Sequence, residues 1–217
     1  MFDSTVLFTG NKSAVSNDWA PIIPEAFHYV TDEVTAETIQ SVANTQKQYN
    51  VVKRENHIGG ELHTRSNMAM VMDDISGYRS QLNKLSAVFN NSRHYSIFIL
   101  LCGQQYTNVT PEVRKSMNAI ITMGTDPVSE RDRLYDEFFS FVPSKKLFIE
   151  IFNIVTATPF MALVGDRNVY GNNWRNRLFY YRAKPYPSSF KLGSHSFWES
   201  HYMRYNPKHN VELLRWA

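Results

Sequence analysis

Two adjacent aspartates follow a nearly continuous apolar run, Met68–Met72, and they are well placed to do chemistry. Such a run is typical of a buried parallel strand, and open α/β sheets bind ligands at the carboxyl ends of their strands. Asp73 at the strand tip would help to hold Mg²⁺, and Asp74 would polarise an attacking water. The pair by itself is equally consistent with two solvated carboxylates at a strand end.

A second apolar run, Ser96–Cys102, also leads into polar residues, Gln104 and Gln105. An amide at such a strand end can contact the γ-phosphate of a nucleotide or the water that attacks it. Glutamine at a strand end is also often only solvated. The order of features therefore carries the argument: strand, two acids, helix, strand, glutamine, proline, arginine.

The elements that position these residues follow from alternating short apolar runs and amphipathic stretches. This pattern predicts a mostly parallel sheet with crossover helices. Capping residues and helical spacing predict helices after Thr35, Thr110, Asp126 and Ser144. A proline-marked loop follows the first strand, and the chain beyond Pro185 is predicted to be irregular. Further strands are predicted at residues 5–8, 119–123, 160–164 and 178–182.

Four segments occur in a fixed order along the chain: MVMDDIS, NNSRHYSIFILLCGQQYTNVTPEVRKSMNAIITMG, FIEIFNIVTATPFMALVGDRN and LFYYRAKP. They contain paired acids after a strand, an Arg-His before the next strand, a Gln-x-Tyr after it and a downstream Pro-x-x-Arg. In this order they resemble the viral genome-packaging ATPases of the FtsK–HerA superfamily, the poxvirus type most closely. The resemblance covers roughly residues 2–185. It implies an α/β fold with a RecA-like P-loop NTPase core, a mostly parallel sheet and flanking helices.

The resemblance also implies roles for individual residues. Asp73 would be the Mg²⁺-associated acid, Asp74 the catalytic base and Gln104 the sensor of nucleotide state. Arg114, or else Arg93, would reach the nucleotide of a neighbouring subunit and stabilise charge on the transferred phosphoryl group. Each arginine could instead make an ordinary surface or structural contact.

Cofactors and partners follow from the same resemblance. ATP and Mg²⁺ are the implied cofactors. The implied partners are double-stranded DNA, further copies of the chain in a homo-oligomeric ring, and a capsid portal or vertex protein. The implied location is intracellular, at the viral assembly site of the host cell or in association with the virion.

A Walker A loop, G-x-x-x-x-G-K-[ST], does not occur in residues 1–217. The nearest stretch, Thr9–Ser13, separates its glycine from its lysine by Asn11, and a degenerate loop at Lys12 and Ser13 is an alternative. We expect the N-terminal Walker A strand to be missing, and an upstream polypeptide that carries the loop to be a partner. Truncation, a split gene, an omitted upstream segment and a degenerate homologue all stay open.

This expectation divides the chain into two parts. Residues 1–185 would form a partial RecA-like ATPase domain, and residues 186–217 a basic aromatic C-terminal extension packed on the same domain. The segment from Arg167 to Lys208 contains eight Lys and Arg residues and only one acidic residue, Glu199, and aromatic residues are interleaved with them. Cations suit phosphates and aromatic faces suit bases, so this tract has a nucleic-acid-binding composition. A basic surface over core aromatics is the other interpretation.

Composition excludes several classes. The formal net charge of +3 is too small to identify a nucleic-acid-binding protein by itself. Cys102 is the only cysteine, so no internal disulfide can form, and its apolar surroundings favour a structural thiol over a nucleophile. The N-terminus does not resemble a signal peptide, and no stretch reaches the roughly 20 apolar residues of a membrane span. The histidines at 57, 63, 195, 201 and 209 lack zinc-ligand spacing.

Three functions remain for testing. The first is a subunit or fragment of an ATP-driven motor that packages viral double-stranded DNA. The second is a non-catalytic DNA-binding or virion-assembly protein derived from the same fold. The third is a metal-dependent nuclease that uses Asp73 and Asp74, although the sequence shows no further carboxylates for such a site.

Overall fold

The computed structural model describes residues 2–55, 65–75, 79–104, 109–171 and 173–206. The chain divides into two compact units, each with its own sheet. The first unit runs through Ser116 and takes in the described residues from Pro187 onward, and the second is Met117–Tyr186. The division at residue 185 into a domain and an extension stays a prediction. Among the described helices, none combines the length and the hydropathy of a transmembrane span.

The first unit contains a four-stranded parallel sheet with the strand order β2-β1-β3-β4. Three of these strands confirm predicted ones, whereas β2 has only three residues and lies where no element was predicted, between the proline-marked loop and the helix after Thr35. The short length of β2 gives it no apolar run that sequence reasoning could detect. The strands are β1 (Ser4–Thr9), β2 (His28–Val30), β3 (Met68–Asp73) and β4 (Ile97–Cys102).

Strands β1 and β3 form the centre of this core, because each is paired on both edges and residues 5–9 of β1 and 69–72 of β3 are buried. Helix α2 (Ala36–Glu55), which is longer than predicted, buries Ile39 and Ala43. The other helices of the unit are α1 (Lys12–Ala14), α3 (Arg79–Asn83), α4 (Ser86–Tyr95), α5 (Pro111–Ser116) and α8 (His195–Arg204).

Strand β4 differs from the buried strand that its sequence predicts. Among the described residues it pairs only with β3, and so it is an edge strand of this sheet. Phe98 is 53% exposed and Leu100 is 36% exposed. An apolar run this continuous is typical of a strand that is covered on both faces.

The second unit contains an antiparallel sheet in the order β5-β6-β7, so the expectation that these strands continue a parallel sheet is wrong. Strands β6 and β7 are joined by residues 167–177, a connection without the long crossover that parallel pairing requires. The core of this unit is aromatic: Phe148 stacks on Phe139 and contacts Phe152. Its elements are β5 (Ala119–Thr122), α6 (Val128–Leu134), α7 (Lys145–Thr156), β6 (Met161–Asp166) and β7 (Leu178–Arg182).

The N-terminal caps of α7 and α8 show where the sequence predicted a helix start correctly and where it did not. Ser144 caps α7 as predicted, because its Oγ accepts the N–H of Leu147 at 3.2 Å. The prediction of an irregular chain beyond Pro185 is wrong for α8. The Oγ of Ser194 accepts the N–H of Phe197 at 3.2 Å and so caps α8. This cap was missed because the segment was classified by its aromatic and basic composition.

Two glycines of the second unit give a matched test of its packing. A Cβ on Gly165 would lie 2.8 Å from Cε1 of the fully buried Phe139, whereas a Cβ on Gly124 would meet Thr156 at 3.4 Å. We expect Gly165→Ala to lower the free energy of unfolding by about 1–3 kcal/mol through overpacking. Gly124→Ala should be neutral or slightly stabilising. Chemical denaturation measures both, and equal midpoints for the two variants would contradict this packing.

Candidate functional site

The candidate site lies at the carboxyl edge of the parallel sheet, where three strand ends stand in register. Thr9 of β1 is opposite Asp73 of β3, and Asp73 is opposite Cys102 of β4. Gln104 follows Cys102 by two residues and is exposed. The predicted requirement that Asp73 and Gln104 lie on neighbouring strands at one edge is therefore met. Gln105 lies outside the described residues.

Asp74 ends the strand through its backbone conformation. Its φ of +49° is left-handed, a conformation that aspartate tolerates better than most residues. The turn leaves Asp74 half-buried at the edge, and the fully buried Ile75 then returns the chain to the core. The N–H of Gly10 donates to the carbonyl of Asp73 at 3.3 Å, which ties the end of β1 to the same edge.

The side chain of Asp73 has a partner that sequence reasoning missed. Nε1 of Trp19 donates a hydrogen bond to its Oδ2 at 2.9 Å. Trp19 ends a π-helical turn, Val15–Trp19, and 54 residues separate it from Asp73 along the chain. No local spacing in the sequence signals a pairing across that distance.

Cys102 is half-buried and lies opposite Asp73 in the strand register. Burial, and secondarily the charge of Asp73, raises its pKa from 9.0 to about 11. The thiol is therefore neutral at physiological pH, and this agrees with its predicted structural role.

The two candidate arginines lie at different places in the first unit. Arg114 is half-buried in α5, and its Nη1 donates to the carbonyl of Val109 at 3.0 Å. Arg93 is exposed in the last turn of α4, next to the start of β4 and so at the amino edge of the sheet. The structure therefore does not gather Arg93 with Asp73 inside one subunit.

The stretch after β1, considered as an alternative phosphate loop, forms the single-turn helix α1. Asn11 caps it, with its Oδ1 accepting the N–H of Ser13 at 3.0 Å and the hydroxyl of Ser13 at 2.7 Å. Lys12 is exposed in this turn. The hydroxyl and N–H of Ser13 are thus engaged within the turn.

The donor chemistry of the edge fits Mg²⁺. Asp73 and Asp74 offer carboxylate oxygens, and Mg²⁺ is commonly bound by one or two carboxylates together with substrate phosphates. Within the described ranges, no group of three or more His, Cys, Asp or Glu side chains could hold a metal on its own. His57, His63, Lys208 and His209 lie outside those ranges.

Comparisons of the sequence with known proteins find viral relatives. The sequence profile of a family described as "Poxvirus A32 protein" matches residues 6–170. Protein 015R of Frog virus 3 (isolate Goorha) is 25% identical over 198 residues, which cover 89% of this chain and 57% of that protein. Protein 088R of Invertebrate iridescent virus 3 is 30% identical over 129 residues, which cover 57% of this chain and 49% of that protein. The chain thus spans about half the length of these relatives.

The fold is shared with solved structures. The genome packaging NTPase B204 of Sulfolobus turreted icosahedral virus 2, in complex with AMPPCP, aligns with a TM-score of 0.55 at 11% identity over 84% of each chain. The cytoplasmic domain of the type VII secretion ATPase EccC of Thermomonospora curvata aligns with a TM-score of 0.53 at 10% identity, over 84% of this chain and 22% of that one. The predicted α/β fold with a parallel sheet and flanking helices is confirmed.

The raised pKa of Cys102 predicts an unusual pH profile for its alkylation. With a pKa of about 11, the rate with iodoacetamide should still rise about tenfold per pH unit above pH 9, where an ordinary thiol levels off. Asp73→Asn removes the second cause of the shift and should move the profile to lower pH. Because Cys102 is the only cysteine, mass spectrometry reports it directly. A profile that levels off near pH 9 would contradict the burial of this thiol.

Proposed function

The chain belongs to the Poxvirus A32 protein family, and we propose that it is a subunit, or part of a subunit, of an ATP-driven motor that packages viral double-stranded DNA. One observation carries the proposal: two aspartates end a buried parallel strand beside the strand that leads to Gln104. Further support comes from the fold shared with B204, which is described as a genome packaging NTPase and was solved with AMPPCP and ATP-gammaS.

The proposed roles follow the chemistry of the edge. Asp73 would hold Mg²⁺, which supplies charge neutralisation to the phosphates when it is bound. Asp74 would orient the attacking water and accept its proton, since its carboxylate stands at the turn just beyond the strand. Gln104, exposed at the end of the neighbouring strand, would contact the γ-phosphate and respond to its loss.

A ring of subunits accounts for the positions of the arginines. Arg93 at the amino edge of its own sheet would act only on a nucleotide held by a neighbouring subunit. Arg114, in the helix that follows the β4 end, is the first candidate for this role in trans. Homo-oligomerisation, a capsid portal or vertex protein as partner, and action at the viral assembly site or in the virion belong to this proposal.

The phosphate-binding loop would come from a further segment of polypeptide that adds a parallel strand to β4. The edge of β4 that faces away from β3 has no strand partner among the described residues, and Phe98 on this strand is 53% exposed. An unpaired apolar edge of this kind is a template for strand addition. A strand placed there would end next to Cys102 and Gln104, at the edge where the aspartates stand.

DNA would be bound by the basic aromatic tract. Residues 178–182 form β7, in which Tyr180 is 70% exposed, and Arg182 and Lys184 are exposed beside it. Exposed cations next to exposed aromatic rings suit a phosphate backbone and its bases.

The second candidate function is a non-catalytic DNA-binding or virion-assembly protein. The exposed Tyr180, Arg182 and Lys184 favour it, because they suit DNA binding whether or not the protein hydrolyses a nucleotide. The two functions differ in one measurable property, since only the motor has nucleotide turnover that depends on Asp74.

We expect Asp74→Asn to lower phosphate release from ATP at least 100-fold in the full-length gene product with Mg²⁺, because a carboxamide cannot accept the proton of the attacking water. Asp166→Asn is the matched control. Asp166 also ends a strand, but its Oδ1 accepts the N–H of Asn168 at 2.7 Å, a bond that asparagine can retain. Equal turnover by wild type and Asp74→Asn would exclude the catalytic role, and DNA binding without any turnover would establish the second candidate.

Binding of double-stranded DNA should weaken with salt, and its salt dependence should identify the tract. Replacing Arg182 and Lys184 together by Gln should reduce the slope of log K against log salt by about 2, roughly one for each lost phosphate contact. Replacing Lys145 and Lys146 of α7 removes the same charge elsewhere in the same unit. A gel-shift titration over several salt concentrations measures the slopes, and identical slopes for the two double variants would refute the assignment.

A further inference from the structure

We propose that Trp19 is a positioning residue for Asp73, so that the indole holds one carboxylate oxygen and leaves the other for the metal. This inference rests on the proposed function, because it assumes that Asp73 holds Mg²⁺. The contact that carries it is the hydrogen bond from Nε1 of Trp19 to Oδ2 of Asp73, 2.9 Å long.

The bond constrains the carboxylate in a simple way. The indole N–H is a donor only and has one hydrogen, so it can engage only one lone pair of Asp73. With Oδ2 engaged, rotation of the carboxyl group breaks the bond, and Oδ1 is left as the oxygen free for a cation. Carboxylates that bind metals are commonly fixed by such outer hydrogen bonds, and loss of one typically weakens metal binding about 10–100-fold.

The donor is itself held in place by packing. Trp19 packs with Ile22 and Leu192 against the buried cluster of Leu7, Ile23 and Val71. Leu7 and Val71 belong to β1 and β3, the strands whose ends form the edge. The ring is therefore fixed to the sheet that carries Asp73, and not to a separate loop.

The backbone before Trp19 provides a further constraint. The π-helical turn Val15–Trp19 is closed by the N–H of Ala20, which donates to the carbonyl of Val15 at 2.8 Å. π-Helical turns are rare and occur frequently at functional sites. The turn fixes the backbone from which the side chain of Trp19 projects, and it follows β1 and the single-turn helix α1 along the chain.

The C-terminal segment contributes to the packing around the indole ring of Trp19. The N–H of Leu192 donates to the carbonyl of Ile22 at 2.8 Å, and the side chain of Leu192 joins the same cluster. Residues far apart in the sequence thus pack against the same cluster as Trp19, which explains why no single motif reveals the pairing of Trp19 with Asp73.

The test uses Mn²⁺ alone as the probe, with free Mn²⁺ followed by electron paramagnetic resonance. We expect Trp19→Phe, which keeps the aromatic packing and removes the N–H, to bind Mn²⁺ about 10–100-fold more weakly than wild type. Trp174→Phe, in the second unit, is the control for loss of an indole and should bind as wild type does. Asp73→Asn should abolish this binding.

A second measurement does not require a Trp19 variant to fold well. The indole N–H of Trp19 should give a ¹H–¹⁵N cross-peak that shifts in Asp73→Asn and broadens first when Mn²⁺ is added to wild type. The peak of Trp174 should do neither.

The outcomes distinguish the positioning role of Trp19 from the metal-binding role of Asp73. Equal Mn²⁺ affinity of wild type and Trp19→Phe, with loss of binding in Asp73→Asn, would overturn the positioning role and leave the metal role of Asp73 intact. Unchanged binding in Asp73→Asn, or no binding by wild type, would overturn both.

Discussion

The register of the parallel sheet is the constraint on which the candidate site depends. Met70, Val71 and Met72 of β3 are buried, and each contributes roughly 1.5–3 kcal/mol through burial. A slip of one residue would reverse the faces of the strand and carry Asp73 into the place of Met72. A buried carboxylate without a partner costs several kcal/mol, so the slip is strongly disfavoured. The same apolar residues that form the core therefore fix the acids at the edge.

Strand β4 resembles β3 in its apolar composition, but it lies at the edge of the sheet and not in its centre. Its apolar run is as continuous as that of β3, yet Phe98 and Leu100 are exposed and one edge is unpaired among the described residues. Natural sheets usually protect their edges with charges, prolines or bulges, and β4 has no charge or proline. A strand with this sequence suits the interior of a sheet. This is the physical reason for proposing that further polypeptide pairs with it.

Structure could be predicted from the sequence where the environment of a residue is determined by its neighbours along the chain. The apolar run before Asp73 predicted the buried strand, and Ser144 predicted a helix start. Prediction failed where partners are distant, because strand direction in the second sheet and the bond between Trp19 and Asp73 depend on tertiary structure. It also failed where one signal concealed another, as when the aromatic composition of the tail concealed α8.

The nucleotide and DNA parts of the proposed motor rest on different support. The family match covers residues 6–170 and so includes both aspartates, Gln104 and both candidate arginines. Arg182 and Lys184 lie beyond it, and the DNA-binding role proposed for them rests on the charge and exposure found in this chain. Leu192 lies beyond the match as well, yet it packs against the same buried cluster as Trp19. The C-terminal segment therefore contributes to the candidate site through packing even where the family comparison does not reach it.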